Sequence, residues 1–201
     1  MKMIVATKNQ HKLLEFSRIL GPLGFELVSQ DEVCPGVEVE EDGATFLENA
    51  RKKAVEIFRR TGIPAVADDS GLCVDALGGA PGVYSARYAD DEGPGHDDRA
   101  NNQKLLRNLE GVPADRRTAR FVSAISCVFG EDDIVECEGT CEGTVAFAED
   151  GDNGFGYDPL FLVEGRSFAR LSGEEKDRVS HRGNALRKLD QLLKDRGTQL
   201  Y

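Results

Sequence analysis

Two carboxylates stand side by side at Asp68 and Asp69, directly after the apolar run Pro64-Ala65-Val66-Ala67 and directly before Ser70-Gly71. Adjacent acids at the mouth of a buried strand suit a divalent metal ion, a general base, or both. They equally suit an ordinary turn in which one aspartate bonds the backbone two residues on. A second acidic pair, Glu40 and Glu41, precedes a helix that carries Lys52 and Lys53 on its third turn. The helix dipole favours acids at that end in any case. That pair therefore bears on chemistry only if one of its members meets Asp69.

Cations and polar donors gather at three further places. The segment TKNQHK (Thr7–Lys12) bridges the first expected strand and the first expected helix. Backbone N–H groups at such a helix start favour an anion, Thr7 and Asn9 add side-chain donors, and Lys12 adds charge one turn in. As a plain strand–helix turn, the same segment uses Asn9 as an N-cap. In NGFGYDPLF (Asn153–Phe161), two glycines flank Phe155, and Tyr157-Asp158-Pro159 follows. Such a loop brings backbone close to a flat ligand and offers rings for stacking, or it is a hairpin turn with an exposed aromatic. The stretch EEKDRVSHRGNAL (Glu174–Leu186) sets Lys176, His181 and Arg182 near a helix boundary, a set suited to reading an anion or a base; a lone His there serves as readily as a cap. The motifs GxxxxGK[ST], strand-GxGxxG and HExxH are all absent, so any phosphate is handled by another device.

Composition bounds the function. The formal net charge is −11, from 25 Lys+Arg against 36 Asp+Glu, which argues against a general nucleic-acid binder. A polyanionic small substrate stays open, because cations clustered in a cleft dominate within a Debye length of ~8 Å. Much of the acid falls in the loops Ala89–Asp98, Gly130–Asp133 and Ala148–Asp152, taken as solvated surface with no catalytic part. No run approaches the ~20 apolar residues of a membrane span. The run Met3–Ala6 is too short for the core of a signal peptide, so the expected location is cytoplasmic. The five cysteines are odd in number and scattered, and Cys137 and Cys141 lack a second Cys or His pair at zinc spacing. They read as buried free thiols.

The elements that must position these residues follow from periodicity. Strands are expected at Met3–Thr7 and Phe25–Ser29, with a helix over 10–20 between them that Gly21-Pro22 stops. A second helix, Gly43–Thr61, carries the stripe Phe46, Ala50, Ala54 and Ile57. Strands at 65–68 and 72–76, separated by a turn, lead through GGAPGV to a helix at 99–109. Arg117–Gly130 and Ile134–Ala148 form a long antiparallel hairpin, a strand follows at 160–163, and Ser172–Arg196 is helical, as two helices or one broken near Ser180. With no repeat and no linker, residues 1–201 read as a single domain. The expected fold is α/β, a mixed sheet in two lobes with an active-site cleft between them.

Six blocks in register, TKNQHK, EEDGATFLENA, ADDSGL, GGAPGVYSARYA, FGYDP and SHRGNAL, resemble the inosine triphosphate pyrophosphatases, also called XTP/dITP diphosphatases. The resemblance spans Thr7 to about Leu189. It implies an elongated two-lobed molecule, usually a homodimer, that uses Mg²⁺ to hydrolyse non-canonical purine nucleoside triphosphates (XTP, ITP, dITP) to the monophosphate and pyrophosphate. It makes Asp69 the catalytic carboxylate and a metal ligand, Asp68 its support, and Ser70 a substrate contact. Glu40 is the second metal ligand by this pattern, with Glu41 in reserve. Thr7, Lys8, Asn9, Gln10, His11 and Lys12 cradle the phosphates with Lys53 and Lys176.

Base reading falls to Phe155, Gly156, Tyr157, Asp158, Lys176, His181 and Arg182. A donor from Arg182 or a backbone N–H opposite the 6-keto oxygen leaves adenine donor against donor, a mismatch worth ~10⁴-fold in a site built for one group. On this reading, loss of Arg182 hurts ITP turnover far more than folding. Lys8 departs from the small or neutral residue usual at its place. Two other readings compete: a non-catalytic nucleotide-binding regulator, against which Asp69 and Glu40 stand, and a pyrophosphatase for another modified nucleotide.

Overall fold

The run Met3–Ala6 forms an interior strand of a sheet, with both of its faces covered. Met3 and Val5 join Val66 in one buried cluster, while Ile4 and Ala6 join Ala65 and Ala67 in another. This is the period-2 alternation of a strand packed on both sides. The computed structural model describes residues 1–93 and 95–196. Its elements in chain order are β1 (Lys2–Val5), α1 (Gln10–Leu20), β2 (Glu26–Ser29), α2 (Gln30–Val33), α3 (Phe46–Thr61), β3 (Ala65–Val74), α4 (Asp98–Asn108), β4 (Thr118–Gly130), β5 (Asp133–Val145), β6 (Phe161–Val163), β7 (Arg166–Ser167), α5 (Gly173–Val179) and α6 (His181–Asp195).

The strands form one mixed sheet in the order β2-β1-β3-β4-β5-β6-β7, so the α/β class read from the sequence holds. β1 runs parallel to β2, with Lys2 opposite Glu26, and parallel to β3, with Ile4 opposite Ala65. Parallel neighbours need a crossover, and α1 provides it between β1 and β2. β6 pairs antiparallel with β5 and β7. β4 and β5 are neighbours joined through Glu131 and Asp132 alone, the hairpin expected there.

Several boundaries differ from expectation for identifiable reasons. The turn expected between strands at 65–68 and 72–76 does not exist, and Asp68, Asp69, Ser70 and Gly71 lie inside the single strand β3. β1 pairs with β3 only at Ala65 and Val66, so it is the long neighbour β4 that carries the strand through the local turn preference of Asp-Ser-Gly. α3 starts at Phe46 rather than Gly43, because the Thr45 hydroxyl caps it by accepting from Glu48 N (3.2 Å). The short helix α2 was not anticipated, although Ser29 and Glu32 form a capping box at its start. β7 was not anticipated either. The C-terminal region is two helices that break at an extended Ser180, where the Ser172–Glu175 capping box has already fixed the start of α5.

Contacts gather the chain into two compact units, with the boundary inside β3 between Asp69 and Ser70. Among the described residues, the first holds 1–69, 123–139 and 181–196. Its two clusters sit on opposite sheet faces: α1 and α6 contribute Phe16, Leu20, Leu186 and Leu189 to one, and α3 contributes Ala54 and Ile57 to the other. The second unit holds Ser70–Val122 and Thr140–Ser180. Its core packs Leu72, Val74, Leu105 and Leu109 with an aromatic trio, in which Phe161 meets Phe121 at 4.7 Å and Phe168 at 5.0 Å between ring centroids. All five cysteines are free thiols; Cys127 and Cys141 are buried and the other three half-buried. Among the described residues, no helix is long and apolar enough to cross a membrane.

Candidate active site

Alternation along β3 sends its two acids to opposite faces of the sheet. Asp68 follows Val66 toward α1 and α6, while Asp69 follows Ala65 and Ala67 toward α3. Each then meets a different set of partners.

The Asp68 carboxylate is wholly buried, with Lys12 Nζ 3.1 Å from Oδ1. Arg182 donates to Oδ2 from Nε (3.0 Å) and Nη2 (2.9 Å), and Ser123 Oγ lies 3.4 Å from the same oxygen. The remaining Arg182 Nη1 donates to Glu15, whose own side chain is buried on α1. Burial alone would raise the Asp68 carboxyl, but the Arg182 guanidinium, followed by Lys12 and Lys53, reverses this and holds it far below the usual carboxylate range. Burial likewise pushes the Lys12 ammonium down, against the pull of Asp68 and with the push of Arg182 and Lys53. Arg182 is 1% exposed, one of the largest fully buried side chains of the protein. Its burial means that its loss bears on the fold as well as on turnover.

Asp69 is set up differently. Asn49 Nδ2 donates to Oδ2 at 3.0 Å, and Lys53 Nζ lies 3.7 Å from Oδ1. Asn49 and Lys53 are four residues apart, so α3 presents both on one face. Asn49 is itself oriented, because its Oδ1 accepts from Gly43 N at 2.8 Å. A side chain at position 43 would collide, since its Cβ would lie 2.6 Å from that oxygen. Burial raises the Asp69 carboxyl, Lys53 and Lys12 pull it down without prevailing, and Glu41 pushes it further up. A carboxylate with raised proton affinity, fixed on one oxygen by an amide, is a competent general base.

Of the two acids before α3, Glu41 joins this group through Lys53, 3.1 Å from its Oε1, while Glu40 is exposed. Among the described residues, no three acidic, His or Cys side chains converge as a metal cage. Asp69 with Glu40 or Glu41 is an oxygen-only set that suits Mg²⁺, which keeps several waters and needs only one or two carboxylates.

The Thr7–Lys12 turn is partly committed to its own helix. Asn9 Oδ1 accepts from His11 N (2.9 Å) and Lys12 N (3.2 Å), and Thr7 Oγ1 accepts from Asn9 N (3.1 Å). The Asn9 N-cap thus takes up two of the amides expected to face an anion, leaving its own side-chain NH₂ and the Gln10 end of the turn. Lys8 forms an exposed pair with Glu38 at 3.0 Å.

The second unit contains its own polar cluster. Lys176, only 5% exposed, lies 2.6 Å from Asp158 Oδ2 and 4.7 Å from the Phe155 ring centroid. Asp158 Oδ2 also accepts from Phe155 N at 2.9 Å. Gly154 (φ +80°) leaves the room this needs, because a Cβ there would sit 2.0 Å from that oxygen. Tyr157 offers no open stacking face: it is buried, and its hydroxyl donates to Ser85 O at 2.8 Å. Ser70 is half-buried in this unit, whereas His181 and Arg182 are buried in the first.

The structure therefore brings Lys12, Lys53, Asp68, Asp69 and Arg182 together in one unit, and Phe155, Gly156, Asp158 and Lys176 in the other. Sequence reasoning missed Glu15, Asn49 and Ser123. Asn49 carried a signal, a polar residue one place from the buried stripe of α3; Glu15, beside Phe16 on α1, carried the same one.

Fold and site together define a mixed α/β protein in which β3, inside the sheet, carries one acid locked to cations and one of raised proton affinity. Comparison with known proteins makes this particular: the chain belongs to the Ham1 family, whose model matches residues 3–192. It is 51% identical over 195 residues to the dITP/XTP pyrophosphatase of Desulforamulus reducens, covering 96% of each chain. The dITP/XTP pyrophosphatase of Exiguobacterium sibiricum is 49% identical, with 96% of this chain and 97% of that one covered. Among solved structures, a HAM1 protein of Coxiella burnetii superposes with a TM-score of 0.86 at 39% identity, covering 97% of this chain and 99% of that one.

Proposed function

We propose that this protein hydrolyses the non-canonical purine nucleoside triphosphates XTP, ITP and dITP to the nucleoside monophosphate and pyrophosphate, clearing them from the nucleotide pool. The observation that carries the reading is Asp69, a buried carboxylate of raised proton affinity held by Asn49 and flanked by Lys53. The reaction adds one water across the bond between the α and β phosphates. Asp69 takes the proton of the attacking water at Oδ1, because Asn49 occupies Oδ2. Lys53 and Lys12 offset charge on the departing pyrophosphate, and Lys53 changes partner from Glu41 to phosphate when substrate arrives. Thr7, Lys8, Asn9, Gln10 and His11 complete the phosphate contacts, and Ser70 adds one from β3.

Asp69 with Glu40 or Glu41 would hold Mg²⁺, which when bound would supply further neutralisation of the phosphates. The Phe155–Asp158 loop, Lys176 and His181 read the base and favour a 6-keto oxygen over an amino group. Arg182 acts first as counter-ion to Asp68 and Glu15, which keeps Asp68 charged beneath the site. Residues 1–201 act as one catalytic domain, working in the cytoplasm as a homodimer.

The test is pyrophosphate release from XTP, dITP, GTP and ATP, with Mg²⁺ and with EDTA, beside an Asp69→Asn control. Fast release from XTP and dITP alone, lost in EDTA and in the variant, is the expected result. Tight nucleotide binding with no release from any of the four would replace the enzyme with a nucleotide-sensing regulator.

A further inference from the structure

Gly156 sits at φ +61°, a conformation glycine adopts without being driven to it. Something outside the residue must therefore hold it there, and α4 does so from both sides. The Gly156 N–H donates to Asp98 Oδ2 at 2.7 Å, and its carbonyl accepts from Asn102 Nδ2 at 3.1 Å. Asp98 and Asn102 are four residues apart and share one face of the helix. Asn101, the next residue round, anchors the helix to the chain behind it, accepting from Ala89 N at 2.7 Å and donating to Ala86 O at 3.2 Å. The clip thus has a fixed base.

Asn102 is also unusual on its own account. It is 4% exposed, and its Oδ1 is buried with no hydrogen-bond partner among the described residues. No protein donor among the described residues reaches that oxygen. Retention of an amide here is explained by its other end, the donor to Gly156.

We infer that Asp98 and Asn102 are positioning residues for base discrimination. They lock the Gly156 peptide, and with it the turn that sets Phe155 N and Lys176 on Asp158 and the Phe155 ring above Lys176. Neither residue touches substrate; both act through the loop. The inference rests on the proposed base-reading role of Phe155–Asp158, and it gives work to Asp98, which lies in a stretch that the sequence alone presents as solvated surface.

The experiment compares dITP with dATP in the wild type and in Asn102→Leu, Asp98→Ala and Asp98→Asn, with inorganic tripolyphosphate as a competitive inhibitor that has no base. Asn102→Leu removes the donor and the orphaned oxygen together, so its melting temperature stays near that of the wild type. For Asn102→Leu and Asp98→Ala, KM for dITP rises about 5- to 10-fold and the preference for dITP over dATP falls by a similar factor, the size expected for one lost hydrogen bond. Their kcat stays within about twofold, the signature of lost binding rather than lost chemistry. Asp98→Asn keeps an acceptor for Gly156 N and restores both values.

The inhibition constant of tripolyphosphate is unchanged throughout. Folded variants with unaltered preference overturn the inference, as does a tripolyphosphate constant that rises in step with KM, which would mark general loosening. Should Asn102→Leu fail to fold, the Asp98 pair decides the matter alone. A wild type with no preference for dITP would instead refute the base-reading role of the loop, before any variant is made.

Discussion

Replacing Arg182 by Met takes the guanidinium away from two interior carboxylates, of which Asp68 keeps Lys12 and Ser123. The guanidinium gives two hydrogen bonds to Asp68 and one to Glu15, and the side chains of all three are almost fully buried. Removing one partner of a buried ionic group costs about 3–5 kcal/mol, because the other charges lose their compensation. For a protein of this size, each kcal/mol moves the melting temperature by about 2–4 °C, so Arg182→Met is expected to melt about 6–20 °C below the wild type. Adding Glu15→Leu removes one of the two carboxylates and should return about 1–3 kcal/mol.

The pH dependence follows from the same network. The folded-state pKa of Asp68 lies below its unfolded value, so its contribution is complete above the ordinary carboxylate pKa of about 4 and is lost as pH falls below it. The wild type should lose stability on acidification through that range, and Arg182→Met should show much less of this acid limb. Calorimetry from pH 3 to 8 on the wild type, the single and the double variant measures all three effects. A single variant that melts within about 2 °C of the wild type, or a double variant no more stable than the single, would refute the reasoning.

Other consequences are as direct. Gly154→Ala forces a Cβ into Asp158 Oδ2 at a positive φ, so KM for the preferred nucleotide should rise and stability fall by about 1–3 kcal/mol; unchanged kinetics would show that the loop relaxes freely. Glu40→Gln should raise the Mg²⁺ concentration needed for half-maximal activity more than Glu41→Gln, which chiefly frees Lys53. The reverse order in a metal titration would make Glu41 the ligand. Burial pushes the Cys137 and Cys141 thiols up to about 11, so iodoacetamide at pH 8 should label them about 100-fold more slowly than a free thiol. Mass spectrometry that finds either labelled at the free-thiol rate would contradict that burial.

What the sequence made legible was local. Helix α1 and the stripe of α3 follow from spacing alone, and Asn9 announces its cap, whereas the choice between two C-terminal helices and one broken near Ser180 stayed open. Strand β3 did not, because Asp-Ser-Gly is good turn chemistry, and the pairing that overrides it comes from β4, distant in the chain. The same limit applied to the site. Residue types suggested that Lys12, Lys53 and Arg182 would meet anions, but Arg182 and Asp68 are 114 positions apart. Nothing local says that an arginine one residue after a helix boundary is a core residue rather than a ligand contact. Resemblance to a family assigns it to the base, and the contacts seen hold it to Asp68 and Glu15.

The adjacent aspartates then have a common explanation. A strand turns consecutive side chains to opposite faces, so two neighbouring acids on β3 face different helices. Toward α1 and α6, Asp68 meets two cations and stays ionised in the interior. Toward α3, Asp69 meets an amide, a single lysine and another acid, and keeps its proton affinity high. The two roles are coupled through charge, since Lys12 and Lys53 act on both carboxylates. Neutralising Asp68 would leave Lys12, which already acts on Asp69, without its balancing charge and would lower the basicity of Asp69. An Asp68→Asn variant should therefore retain Asp69 and its partners yet hydrolyse substrate more slowly, with the acid limb of its rate profile displaced to lower pH. An acid limb that stays in place would show that Asp68 serves the fold alone.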